Sequence, residues 1–95
     1  MRRVLAFVAL YGCMDQGEFE SDFATEYCTL LEACEALPTY GYRNTADCED
    51  HATVITDNCD FSEDNGKTCL ADIASTGCQD LLEVAIPESC LSVCG

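Results

Sequence analysis

The apolar positions of this chain fall into two regimes. Near the N-terminus they are contiguous: Val4, Leu5, Ala6, Phe7, Val8, Ala9 and Leu10 follow one another with no polar residue between them. Further on they are spaced. Phe23, Tyr27, Leu30, Cys34 and Leu37 recur at intervals of four and three, one face of a helix, and predict a helix over 22–37. Ser21 or Asp22 can cap its start. Pro38 stops it, because the residue before a proline avoids the α region. Cys48, Ala52, Ile55 and Cys59 repeat at four, three and four and predict a second helix. Asn44 or Thr45 can cap it, and Asp47, Glu49 and Asp50 sit near its positive end. The β-branched run Thr53-Val54-Ile55-Thr56 makes a short strand the competing reading.

The polar stretch 61–67, with Asn65-Gly66, reads as a turn. A third helix then runs to about residue 76, capped by Ser62 or Asp64. Cys69, Leu70, Ile73 and Ala74 face inward, and Gly77 takes the position after its end. A fourth short helix over 79–85 carries Leu81, Leu82 and Ala85. Pro87 opens a final turn holding Cys90 and Cys94. Segment 14–22 is acidic and shows no apolar period, so it reads as a tether; the competing reading is an ordered arm packed through Phe19. The predicted class is all-α, a small domain of three to four short helices.

Composition changes this picture in one respect. Nine cysteines in 95 residues mark a disulfide scaffold, and disulfides persist outside the reducing cytosol. A domain this small buries too little surface to be stable without staples. Nine is odd, and an odd cysteine in an exported chain needs its own explanation. If Cys13 is set aside, Cys28, Cys34, Cys48, Cys59, Cys69, Cys78, Cys90 and Cys94 can form four bridges. An antiparallel hairpin of the first two helices would set Cys34 opposite Cys48, the pairing favoured among about 105 connectivities. A straight helix makes Cys48–Cys59 implausible: eleven residues rise about 16 Å, and a bridge needs Cα atoms within about 7 Å.

The N-terminal run explains Cys13. Arg2 and Arg3 form a positive start, and seven apolar residues follow, at the lower limit for a secretory signal. The run is too short to span a bilayer, which needs about 20 apolar residues. Leu10-Tyr11-Gly12-Cys13 resembles the lipobox of bacterial lipoproteins, with an apolar residue three before the cysteine and a small one just before it. Tyr11 departs from that pattern, where a small residue is usual. The resemblance implies a diacylglyceryl thioether on Cys13, cleavage after Gly12, and acylation of the new amine. It divides the chain into a signal peptide (1–12), a lipidated cysteine with an acidic tether (13–22) and a disulfide-stapled helical domain (23–95). It places the protein in a bacterial cell envelope, membrane-anchored and facing the periplasm or the cell surface. Met14 after the cysteine tilts this toward the outer membrane. The competing reading makes 4–11 a buried strand or helix turn of a cytosolic domain and Cys13 a core thiol. Spaced single cysteines on amphipathic helices, with the Pro87-x-x-Cys90-x-x-x-Cys94 ending, are similar to small cysteine-rich lipoproteins of unassigned function. That likeness brings no activity with it.

Charge narrows the partners. From Cys13 onward there are eighteen acids against two strong cations, Arg43 and Lys67, a side-chain net charge of −16. Such a chain offers no cationic patch to nucleic acid or to anionic headgroups. The expected contacts are a membrane, through the lipid, and an unidentified protein. The only cofactor is the covalent lipid on Cys13.

Candidate chemistry is sparse. Redox catalysis needs a reactive pair, usually Cys-x-x-Cys, and the intervals between the eight cysteines hold 5, 13, 10, 9, 8, 11 and 3 residues. Structural zinc also favours close pairs, and only Cys90 and Cys94 approach one. Asp60, Ser62 and Asp64 alternate as calcium-loop ligands do, but the Gly and acid such a loop needs at its sixth and twelfth positions each fall one residue late, at Gly66 and Asp72. They are weak calcium candidates; the plainer reading is a solvated turn. His51, the single histidine, lies near the apolar stripe and reads as a boundary residue. Tyr40 and Tyr42 can either anchor an interface or cover the end of a small core. No catalytic residue emerges, so the chain reads as a non-enzymatic envelope lipoprotein with a structural, display or protein-interaction role. The alternative is a secreted ligand-binding or inhibitor module, with calcium dependence as an option.

Overall fold

Helix α1 (Gln16–Ala33) is the axis on which the rest is assembled. The computed structural model describes residues 14–55, 59–84 and 86–94. After α1 come a 3-10 turn (Pro38–Tyr40), α2 (Thr45–His51), α3 (Glu63–Ala74), α4 (Cys78–Glu83) and a last 3-10 turn (Glu88–Ser92). Among the described residues there is no strand, and the all-α class read from the sequence holds.

α1 begins six residues before the periodicity suggested. Asp15 is its N-cap, its carboxylate accepting from the Glu18 amide at 2.8 Å. Phe19 lies one helical step ahead of Phe23 and Tyr27 and is fully buried. The three rings form a file along α1, with centroids 5.9 and 5.3 Å apart. The expected tether over 14–22 is therefore corrected: it is the first part of the main helix, and Met14 before it is buried too. Phe19 extends the Phe23–Tyr27 stripe by one interval of four, a signal masked by the acids around it, and a distant partner, Phe61, seals it with a ring centroid 5.4 Å away.

The expected end at Pro38 is corrected: α1 ends earlier, at Ala33, in a Schellman motif. Cys34 is the C-cap, the Glu35 amide donates to the Glu32 carbonyl, and the Ala36 amide donates to the Leu31 carbonyl at 2.8 Å. Leu31 and Ala36, the two ends of the motif, are both buried. Glu35 carries the left-handed conformation, φ 56°, that glycine usually takes there.

α2 is much shorter than the period implied. Asn44 caps it, accepting from the Asp47 amide. It stops at His51, and Ala52 is extended (φ −75°, ψ 121°). The β-branched run that follows is neither helix nor strand over its described part, 53–55. A short helix whose buried residue is Cys48 does not outweigh the extended preference of Thr53, Val54 and Ile55, and Ala52, Val54 and Ile55 still pack against the core from extended backbone.

In α3 the expected turn at Asn65-Gly66 is corrected. Ser62 caps the helix, its hydroxyl accepting from the Asn65 amide, so both residues lie in its first turns. Gly66 is buried there. A Cβ on it would come within 2.8 Å of the Phe61 ring and 3.2 Å of Phe19. The glycine serves close packing of α3 on α1 rather than a turn. Cys69 and Ile73 are buried and Leu70 is half-buried, but Ala74 is exposed. Gly77 caps the start of α4 instead of following the end of α3. In α4, Leu81 is buried and Leu82 exposed; Ala85 lies outside the described residues.

Four disulfides join these pieces: Cys28–Cys48, Cys34–Cys78, Cys59–Cys94 and Cys69–Cys90. The favoured Cys34–Cys48 pairing is corrected. Cys28 lies on the buried face of α1 opposite α2, one and a half turns from the helix end, and it takes Cys48. Cys34, at the helix end, reaches the start of α4. Cys48 and Cys59 are indeed not joined, although the helix thought to separate them stops at His51.

Candidate functional site

Cys13, the residue of greatest chemical interest in the sequence, lies outside the described residues together with the run before it. What the structure does place is its neighbour. Met14 is 7% exposed, and its amide donates to a Glu63 carboxylate oxygen at 3.0 Å. Root of α1 and start of α3 are tied together there. That hydrogen bond, reinforced by Lys67 at 3.1 Å, holds the Glu63 carboxyl below the ordinary carboxylate range. The C-terminal turn meets the same end of α3: the Ser62 amide donates to the Val93 carbonyl, and the Asn65 side chain donates to the Ser92 carbonyl at 2.8 Å. Met14 is thus held at a fixed corner of the domain.

The eight remaining candidate cysteines are all in bridges. Cys28, Cys48, Cys69 and Cys90 are fully buried, while Cys34, Cys59 and Cys94 are half-buried and Cys78 is exposed. Paired thiols cannot act as nucleophiles or as metal ligands while paired.

The calcium candidates straddle the start of a helix, with Asp60 exposed ahead of it. Ser62 spends its hydroxyl on capping α3, and Asp64 stands in the first turn of that helix. A calcium loop needs open backbone wrapped around the ion through these positions, and helix from Glu63 onward removes it. No three His, Cys, Asp or Glu side chains gather as a metal site among the described residues.

His51 is exposed, rather than at the edge of the core. Its Nδ1 lies 2.9 Å from the Asp47 carbonyl and 3.4 Å from the Asp47 carboxylate. Hydrogen bonds from the Arg43 amide and guanidinium hold the Asp47 carboxyl low. His51 borders an open groove of about 600 Å³ between the first half of α1 and the end of α2, with Glu20, Ser21, Glu49, Asp50 and Ile55. The groove is acidic and wide, and its histidine is already oriented by Asp47.

The tyrosines cover the core. Tyr40 donates its hydroxyl to the Leu81 carbonyl at 2.8 Å, closing the end where α4 docks. Behind it Tyr27 stacks on Phe23, and burial, with Tyr40 and Tyr42 nearby, pushes its hydroxyl up to about 12.

Sequence reasoning did not find the outer side of α4. Val84 and Leu82 are 61% and 63% exposed, and Leu91 is 69% exposed. Val84 shares a groove of about 230 Å³ with Thr76, Asp80, Glu83 and Pro87. The only sequence signal was the doublet Leu81-Leu82, which a single helix turn cannot bury on both sides.

Compared with protein-family models, curated proteins and solved structures, the chain matches none. Its role has to be argued from its own residues.

Proposed function

We propose that this chain is a non-enzymatic cell-envelope lipoprotein, held by lipid on Cys13 and acting by display or protein contact. The observation that carries the reading is the cysteine arithmetic. Four bridges take Cys28, Cys34, Cys48, Cys59, Cys69, Cys78, Cys90 and Cys94. The ninth is Cys13, placed directly behind Gly12, the apolar run and Arg2-Arg3. Disulfides call for an oxidising compartment, and a signal ending in a lipobox-like cysteine supplies both the route and the anchor. Two or more acyl chains hold a protein stably on a bilayer, so no further membrane device is required. With Met14 packed against the domain, the anchor joins it without a spacer, and the body stands close to the membrane, facing the periplasm or the cell surface, on the outer membrane by preference. The alternative is a secreted ligand-binding or inhibitor module; only its calcium-dependent form loses support, because α3 occupies the loop that form would need.

Intact mass of the natural protein tests the proposal. The expected product starts at Cys13, carries added acyl mass and lacks the eight hydrogens of four disulfides. Cys13→Ala should release it from membranes. A natural product with free thiols and no acyl group would refute the anchor.

A further inference from the structure

We propose that the outer side of α4 is a docking face for a cationic amphipathic segment of another protein. This rests on the contact role proposed above and names the face and the chemistry of its partner. The groove there has an apolar side, Val84 and Pro87, and two carboxylates, Asp80 and Glu83, with Thr76 completing it. Val84 is 61% exposed, and buried apolar contact is what an exposed aliphatic side chain has to offer a partner.

Charge selects the occupant. No Lys, Arg or His follows Lys67 in the sequence, whereas Asp72, Asp80, Glu83 and Glu88 do. Among the described residues neither Asp80 nor Glu83 is in an ion pair. From Cys13 onward a second copy would bring −16 against −16, and an anionic lipid surface would likewise be repelled. A segment presenting one large apolar side chain between lysines or arginines satisfies both halves of the groove at once. The apolar group covers Val84 and Pro87, and the cations reach Asp80 and Glu83 at the rim. Rim pairs contribute more to orientation and encounter rate than to affinity.

The test uses the full natural chain, isotope-labelled and held in non-ionic micelles, titrated with a helical Leu/Lys peptide. A Leu/Glu peptide of the same pattern is the control. Amide shifts should centre on 76–84, and the Leu/Glu peptide should leave them unmoved. Val84→Ser should weaken binding about tenfold. Asp80→Asn with Glu83→Gln should weaken it at low salt and flatten its salt dependence. Both sites are exposed, and mapped disulfides verify the fold of each variant. Shifts spread over the whole acidic surface, or affinity unchanged by Val84→Ser, overturn the proposal. So does sedimentation showing a dimer that Val84→Ser abolishes, or a micelle-borne spin label that broadens Val84 without peptide. Acyl mass on Cys13 is read separately: an acylated chain that ignores the peptide refutes this face and leaves the anchor standing, and the reverse result does the opposite.

Discussion

Glu35 shows how a single residue can hold a conformation against its own preference. The Schellman hydrogen bonds and the buried Leu31 and Ala36 fix the end of α1, and the residue between them must take φ 56°. An L side chain in that region costs about 1 kcal/mol relative to glycine. Glu35→Gly should therefore raise stability by about that amount, read as a higher denaturation midpoint with unchanged disulfides; a lower midpoint would contradict it. Glu63 makes a different point. Its folded value lies below the ordinary 4.5, so its ionised form favours the folded chain above that pH. That contribution fades as pH falls through the lower folded value. The melting temperature of the natural chain should exceed that of Glu63→Gln near neutrality, and the gap should close in acid. A gap that persists in acid would assign it to packing rather than to charge.

At the scale of elements, the decisive question is where α1 starts. A tether over 14–22 would make Phe19 dispensable, whereas the structure seals it against Phe23, Phe61 and Gly66. Phe19→Ala should cost about 3–5 kcal/mol, the usual range for a buried phenylalanine, measured by denaturant unfolding with the bridges intact. A loss within about 0.5 kcal/mol, typical of surface positions, would restore the tether. α2 and α4 are the opposite kind of element. With 7 and 6 residues they are too short to persist alone. Each is stapled to α1 by one bridge, α2 through Cys28–Cys48 and α4 through Cys34–Cys78.

For the whole molecule, the order of the bridges matters more than their number. Cys28–Cys48 lies within 14–55, and Cys59–Cys94 encloses Cys69–Cys90 within 59–94. Cys34–Cys78 alone among the four crosses between those halves, closing 44 residues. Loops of that length are worth about 4 kcal/mol in the chain-entropy account. The double variant Cys34→Ala/Cys78→Ala should lose most of that, and hydrogen exchange should rise first in α4, which the Tyr40–Leu81 hydrogen bond would still tie to the other half. Uniform exchange across the domain would contradict this division of labour. Non-covalent contact between the halves includes the packing of α1 on α3 around Phe19, Phe61 and Gly66, the Met14–Glu63 hydrogen bond and the Tyr40–Leu81 hydrogen bond.

The sequence by itself determined the class. The stripe Phe23, Tyr27, Leu30, the caps at Asn44 and Ser62 and the even set of cysteines after Cys13 are local signals, written within a few residues of where they act. Tertiary structure decided what local signals cannot carry. Gln16 to Asp22 became helix because Phe19 packed against Phe23 and Phe61; Asn65-Gly66 joined a helix because a ring had to pass over the glycine; α2 stopped early because Thr53, Val54 and Ile55 favour extended backbone. The pairing of Cys34 with Cys78 depended on where two helix ends met in space, and so did the exposure of Leu82 and Val84. Partner choice across a folded chain is set by three-dimensional proximity, and one-dimensional spacing holds no record of it.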